Sequence, residues 1–137
     1  MPSTTTHQAM IYFMVITSAS DRDMTDIELA RIGEVVRTWP VFEDFDPEKL
    51  VATAQECERL LHEEAGLDGV LQLARAALPE RLRDTAYAAA FEVAAVDLEM
   101  RMEEARVLDR IREALGLEDN VAYAIERAAK ARHRTLT

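Results

Sequence analysis

The stretch "AMIYFMVITSA", Ala9 to Ala19, decides the fold. It carries no charge, and its apolar side chains follow one another instead of keeping to one stripe, so as a helix it must be covered on most sides. It is too short to cross a bilayer, which takes about 20 apolar residues. A helix placed centrally in a bundle is therefore expected, starting near Thr5 or Thr6 and ending around Ser20, where "SDRD" breaks the run. The start "MPSTTTHQ" lacks the basic region of a secretory signal, so a cytoplasmic, not membrane-spanning protein is expected.

The rest of the chain agrees with helices. Of 137 residues 49% are hydrophobic, with only 4 Gly and 4 Pro, while Ala, Leu, Glu and Arg abound and β-branched residues are scarce. A domain of ~150 residues buries about two thirds of the surface its unfolded chain exposes, enough for a full core. Residues 1–137 are read as a single all-α domain, a compact bundle of about seven helices.

Past the first turn, Thr25 with Glu28 forms a capping box, and Leu29, Ile32 and Val36 give an inward stripe that stops before Pro40. Asp46-Pro47 starts a third helix with Leu50, Ala54, Cys57 and Leu61 on one face. Gly66 ends it or starts a short fourth helix bearing Val70, Leu71 and Leu73, and Pro79 opens a fifth through "DTAYAAAFEVAAV". The alanines of the fifth permit close approach, so it too is expected near the centre. The sixth carries Leu108, Ile111 and Leu115 and ends at Gly116; the seventh runs from about Glu118 to Arg132, with Val121, Ile125 and Ala128 inward.

Both central helices run into the same acidic pattern. "ASDRDMTDIE" (Ala19 to Glu28) aligns without gaps on "AVDLEMRMEE" (Ala95 to Glu104), matching Asp21 to Asp97, Asp23 to Glu99, Met24 to Met100 and Glu28 to Glu104. The chain thus reads as two helix, acidic turn, helix units, about residues 8–38 and 84–115, related by a pseudo-twofold axis with the third and fourth helices inserted between them. A carboxylate at a helix C-terminus opposes the macrodipole, and two carboxylates ~5 Å apart repel by about 3 kcal/mol at an effective dielectric of 20. If the turns converge they require a cation. Oxygen-only ligands suit Ca²⁺, Mg²⁺ or Mn²⁺, with Asp21, Glu28, Asp97 and Glu104 as the candidate metal ligands and Asp23, Glu92 and Glu99 as secondary ones. The competing reading is local: Asp21 and Asp97 accept backbone N–H bonds in Asx-type turns and Glu28 closes its capping box. Glu92, among apolar neighbours, either joins the acidic centre or pairs with an Arg such as Arg31 or Arg83. An EF-hand does not fit, because the position that requires Gly holds Asp26 in one repeat and Met102 in the other.

Composition and motifs exclude other classes. A formal charge of −10 argues against nucleic-acid binding, which rests on Lys and Arg neutralising phosphates. The local exception is "RAAKARHR", where Arg127, Lys130, Arg132 and Arg134 complement the negative end of a last helix or form a phosphate-binding patch. Cys57 stands alone, which precludes an intramolecular disulfide and suggests a structural thiol. His7, His62 and His133 are far apart in sequence and are expected at the surface. The chain holds no Glu-x-x-His pair, no Gly-rich phosphate loop and no nucleophile beside a base, so no catalytic residues are assigned and no enzyme is expected.

The doubled turn, in "SASDRDMTDIELARIGEVV" and "EVAAVDLEMRMEEARVLDRI", with "PVFEDFD" and "LPERLRDTAYAAAFEVAAVD" between, resembles the TerB-like family of bacterial tellurite-resistance proteins over about Ala9 to Arg134. The family turn reads Asp-Gly, where this chain has Arg22 and Leu98. The resemblance implies a seven-helix fold with internal pseudo-symmetry, a cytoplasmic role in stress or tellurite resistance, divalent metal held by Asp21, Glu28, Asp97 and Glu104, and other resistance proteins near the inner membrane as partners. Two functions are carried forward: a non-enzymatic domain binding a divalent cation between its acidic turns, or a metal-free interaction module using its acidic face or its C-terminal basic helix.

Overall fold

The computed structural model of the chain describes residues 4–19, 24–95 and 102–136. Among these, seven α-helices follow one another: α1 (Thr6–Ser18), α2 (Asp26–Thr38), α3 (Leu50–Leu61), α4 (Gly66–Ala76), α5 (Arg83–Ala95), α6 (Met102–Leu115) and α7 (Asp119–Arg132). Short 3₁₀ turns at Pro40–Phe42, Pro47–Lys49 and Glu80–Leu82 lie between them. The described residues form no strand.

Helix α1 lies in the middle of the bundle. Every residue from Ala9 to Ser18 is buried, and α1 packs against α3, α4, α5 and α6. At about 1.5–3 kcal/mol for each large apolar side chain withdrawn from water, Met10, Ile11, Phe13, Met14, Val15 and Ile16 are a leading contribution to the core. Helix α5 is the second central element, packing on α1, α2, α6 and α7, with Ala86, Ala89, Ala90 and Ala94 buried. The small side chains let its neighbours come close.

The helix starts follow their caps. The Thr5 hydroxyl accepts the Gln8 N–H at 3.1 Å while Gln8 Oε1 accepts the Thr5 N–H at 2.8 Å. Thr25 and Glu28 make the same reciprocal pair at the head of α2, at 3.2 and 2.9 Å. Two of the four orphan donors of each helix are thereby satisfied. At its other end α2 stops at Thr38: Pro40 excludes helical backbone for the residue before it, and Trp39 is extended at φ −82°, ψ 133°. Asp46 accepts the Glu48 N–H at 3.0 Å, and the turn opened by Pro47 is 3₁₀ before α3 begins at Leu50. Pro79 likewise precedes a 3₁₀ turn, so α5 starts at Arg83. Gly116, at φ 66°, ends α6 in the left-handed region that suits glycine.

The expected helix faces need two corrections. On α4, Val70 and Leu71 are buried but Leu73 is 40% exposed. On α7 Ala122 and Ala129 are buried and Ile125 packs partly buried against the core as expected, whereas Val121 is only half-buried and Ala128 is exposed. The alanines of α7 sit against α5, where a bulkier stripe would hold the helices apart, and Tyr87 of α5 donates its hydroxyl to Glu126 of α7 at 2.6 Å. Burial first, then that hydrogen bond, raises the Tyr87 pKa.

Candidate functional site

Two of the four primary candidate ligands belong to the described residues. Glu28, in the first turn of α2, is 7% exposed, and Glu104, in the first turns of α6, is 9% exposed. Carboxylates are rarely buried this far without partners. One Glu28 oxygen accepts the Thr25 N–H in the capping box. Asp21 and Asp97, with the secondary candidates Asp23 and Glu99, lie outside the described residues. Among the described residues no group of three or more His, Cys, Asp or Glu side chains comes together as a metal site would require.

Two further polar groups border the first turn. Ser18 ends α1 with its Oγ buried and without a hydrogen-bond partner among the described residues. From α3, Glu58 Oε2 accepts the Met24 N–H at 3.5 Å, which brings a carboxylate from the inserted helices to the start of α2. Glu58 follows Cys57 on a helix read only for its apolar face, and nothing in its spacing marked it. The donor chemistry of Glu28 and Glu104, oxygen only and withdrawn from water, fits a hard divalent cation.

Glu92 is engaged elsewhere. Its Oε1 accepts from Arg132 Nη2 at 2.7 Å and its Oε2 lies 2.7 Å from His133 Nε2, with the Glu92 side chain 17% exposed. The expected arginine partner is therefore Arg132 at the end of α7, in place of Arg31 or Arg83. Burial pushes the Glu92 carboxyl up, but the hydrogen bonds from Arg132 and His133 outweigh it and hold the group below its ordinary range. Lys130 lies 6.0 Å from the centre of the Phe91 ring, so two cations of the basic run are turned onto α5 while Arg127 and Arg134 are exposed.

The histidines differ from expectation at two of three positions. His62 is exposed. His133 is half-buried against Glu92, and His7 donates from Nε2 to the Val41 carbonyl at 2.9 Å and stacks on Phe42 with ring centres 5.7 Å apart. Cys57 is fully buried and donates to the Tyr12 carbonyl at 3.9 Å; burial above all, then the charges of Glu58 and Glu56, pushes its thiol far above the ordinary range. It is a packing residue, shielded from solvent and from oxidants.

No described helix is long and apolar enough to cross a membrane. Comparison with known proteins finds no match among curated proteins and none among solved structures. The family model described as "Tellurite resistance protein TerB" does match, over residues 7–127. That span takes in all of α2 to α6 and most of α1 and α7, including both buried glutamates, and the chain accordingly belongs to the TerB family.

Proposed function

We propose that this chain is a cytoplasmic, non-enzymatic tellurite-resistance or stress-response domain that holds a divalent cation, Ca²⁺, Mg²⁺ or Mn²⁺, between its two acidic turns. The observation that carries the reading is the shared burial of Glu28 and Glu104 at matching places on the helices that follow the two central ones. Both are oxygen donors withdrawn from water, and Asp21 and Asp97 would complete an oxygen-only set suited to a hard divalent cation. Helix α1 packs against α6 as well as α5, and α5 against α2, so each central helix touches the helix that follows the other. In this reading α1–α2 and α5–α6 are the two pseudo-twofold units, and the metal fixes one unit against the other. Other resistance proteins near the inner membrane are the proposed partners.

The test is a thermal melt of chelator-stripped protein with and without each ion, repeated on Asp21→Asn and Asp97→Asn. An ion present at about 100 times its dissociation constant adds ~2.7 kcal/mol of stability. The reading expects one ion to raise the midpoint of the native protein and of neither variant. No shift with any ion at millimolar concentration would sink it.

A further inference from the structure

Helix α2 from Ile27 onward with Trp39 after it, the last turns of α5 and the residue that follows α7 line a groove of about 540 Å³. Its walls are Ile27, Val35, Trp39 and Val93, and its polar lining includes Arg31, Glu92 and His133. Small-molecule sites run to roughly 300–1,000 Å³, with apolar walls and a few placed polar groups. The wall is held firmly: Val35 and Val93 are core residues, 4% and 3% exposed, and the Trp39 N–H is bonded to the Val35 carbonyl at 2.9 Å. Ile27 stands at the mouth, 68% exposed, a large apolar side chain with no cover.

Charge decides what such a groove accepts. Of the two carboxylates that line it, Glu92 is held by Arg132 and His133, and Glu34 makes one exposed contact with Arg37 at 3.4 Å. Arg31 is half-buried and, among the described residues, forms no ion pair. An anionic group would meet in Arg31 a half-buried guanidinium able to bind both of its oxygens, whereas the buried carboxylate Glu92 is already committed to two partners. The overall charge of −10 opposes anions at long range, but beyond about 8 Å that field is screened at physiological salt and the local cation prevails.

We infer that this groove is a binding site for a small amphipathic monoanion, a single-chain carboxylic acid whose carboxylate pairs with Arg31 and whose apolar body lies along Trp39, Val35, Val93 and Ile27. This goes beyond the metal reading and is independent of it. The chain supplies its own reporter, because Trp39 is its single tryptophan.

The experiment titrates the full chain, in chelator, with decanoate, decanol and decyltrimethylammonium below their micelle concentrations, following Trp39 fluorescence. Decanoate should give a saturable change with an affinity at least about tenfold above that of the other two, the scale of one charge-assisted contact. Arg31→Met should erase that preference. Ile27→Glu, at a position exposed enough to leave the fold intact, should weaken decanoate about tenfold or more by placing a like charge at the mouth. Circular dichroism and the melting midpoint verify that each variant is folded. Absence of a saturable Trp39 response to decanoate, equal responses to all three probes, or a preference that survives Arg31→Met in folded protein would each overturn the inference.

Discussion

Glu92 shows how a single carboxylate is held charged inside a protein. Arg132 and His133 reach it from the far end of the chain, and together they more than offset the cost of its burial. Its pKa is depressed below the ordinary 4.5, so its stabilising contribution is complete above that value and is lost as pH falls through the lower value of the folded state. Glu92→Gln is expected to cost about 1 kcal/mol at neutral pH, the range of a pair with one exposed partner, with the difference from the native protein shrinking steadily as pH drops below 4.5. Urea unfolding across that range measures it, and a difference independent of pH would refute the charged clamp. The sequence showed that Glu92 lay among apolar neighbours and needed a partner. It could not show which, because Arg132 is 40 residues away and the pairing depends on how α7 returns over α5.

Helix ends were the most legible elements, since the chemistry that sets them is local. Thr25, Glu28, Pro40, Pro47 and Gly116 each act within a few residues of themselves, and each marks a boundary close to where the structure has one. Thr25→Ala removes the acceptor for the Glu28 N–H and should destabilise the chain by ~1 kcal/mol, read as a lower urea midpoint with an unchanged slope. A cost no larger than that of an exposed Ser or Thr elsewhere would show that α2 is held by packing alone. Helix faces were harder to read where alanine dominates. On α7 Val121, Ile125 and Ala128 pointed to one face, yet close approach to α5 turned the stripe to Ala122, Ile125 and Ala129. A pattern of size predicts burial only when the neighbouring helix leaves room for size.

For the whole molecule the charge-free run of α1 was the strongest indicator, because no arrangement other than a central one removes all of it from water. Met14, with no exposed surface, lies within that run. Met14→Ala should cost 2–5 kcal/mol, roughly a third of the whole stability of many domains, and lower the melting midpoint by more than any change at a helix cap. A loss below 1 kcal/mol would mean that α1 is not the centre of the core. The acidic repeat was equally visible in the sequence as a pattern, but spacing alone does not say whether equivalent carboxylates meet. The groove at Trp39 left no trace in the sequence at all, since its residues come from three distant segments and none forms a motif with another.

The central place of α1 also bears on how the protein is made. Its cover comes from α3, α4, α5 and α6, and the last of these ends at Leu115. At about 5–20 residues per second, a ribosome takes roughly 5 to 20 seconds to deliver that cover after α1 has emerged. During that interval the least polar segment of the chain lacks most of its final cover, and α3 and α4, made before α5, are the first of its partners able to shield it.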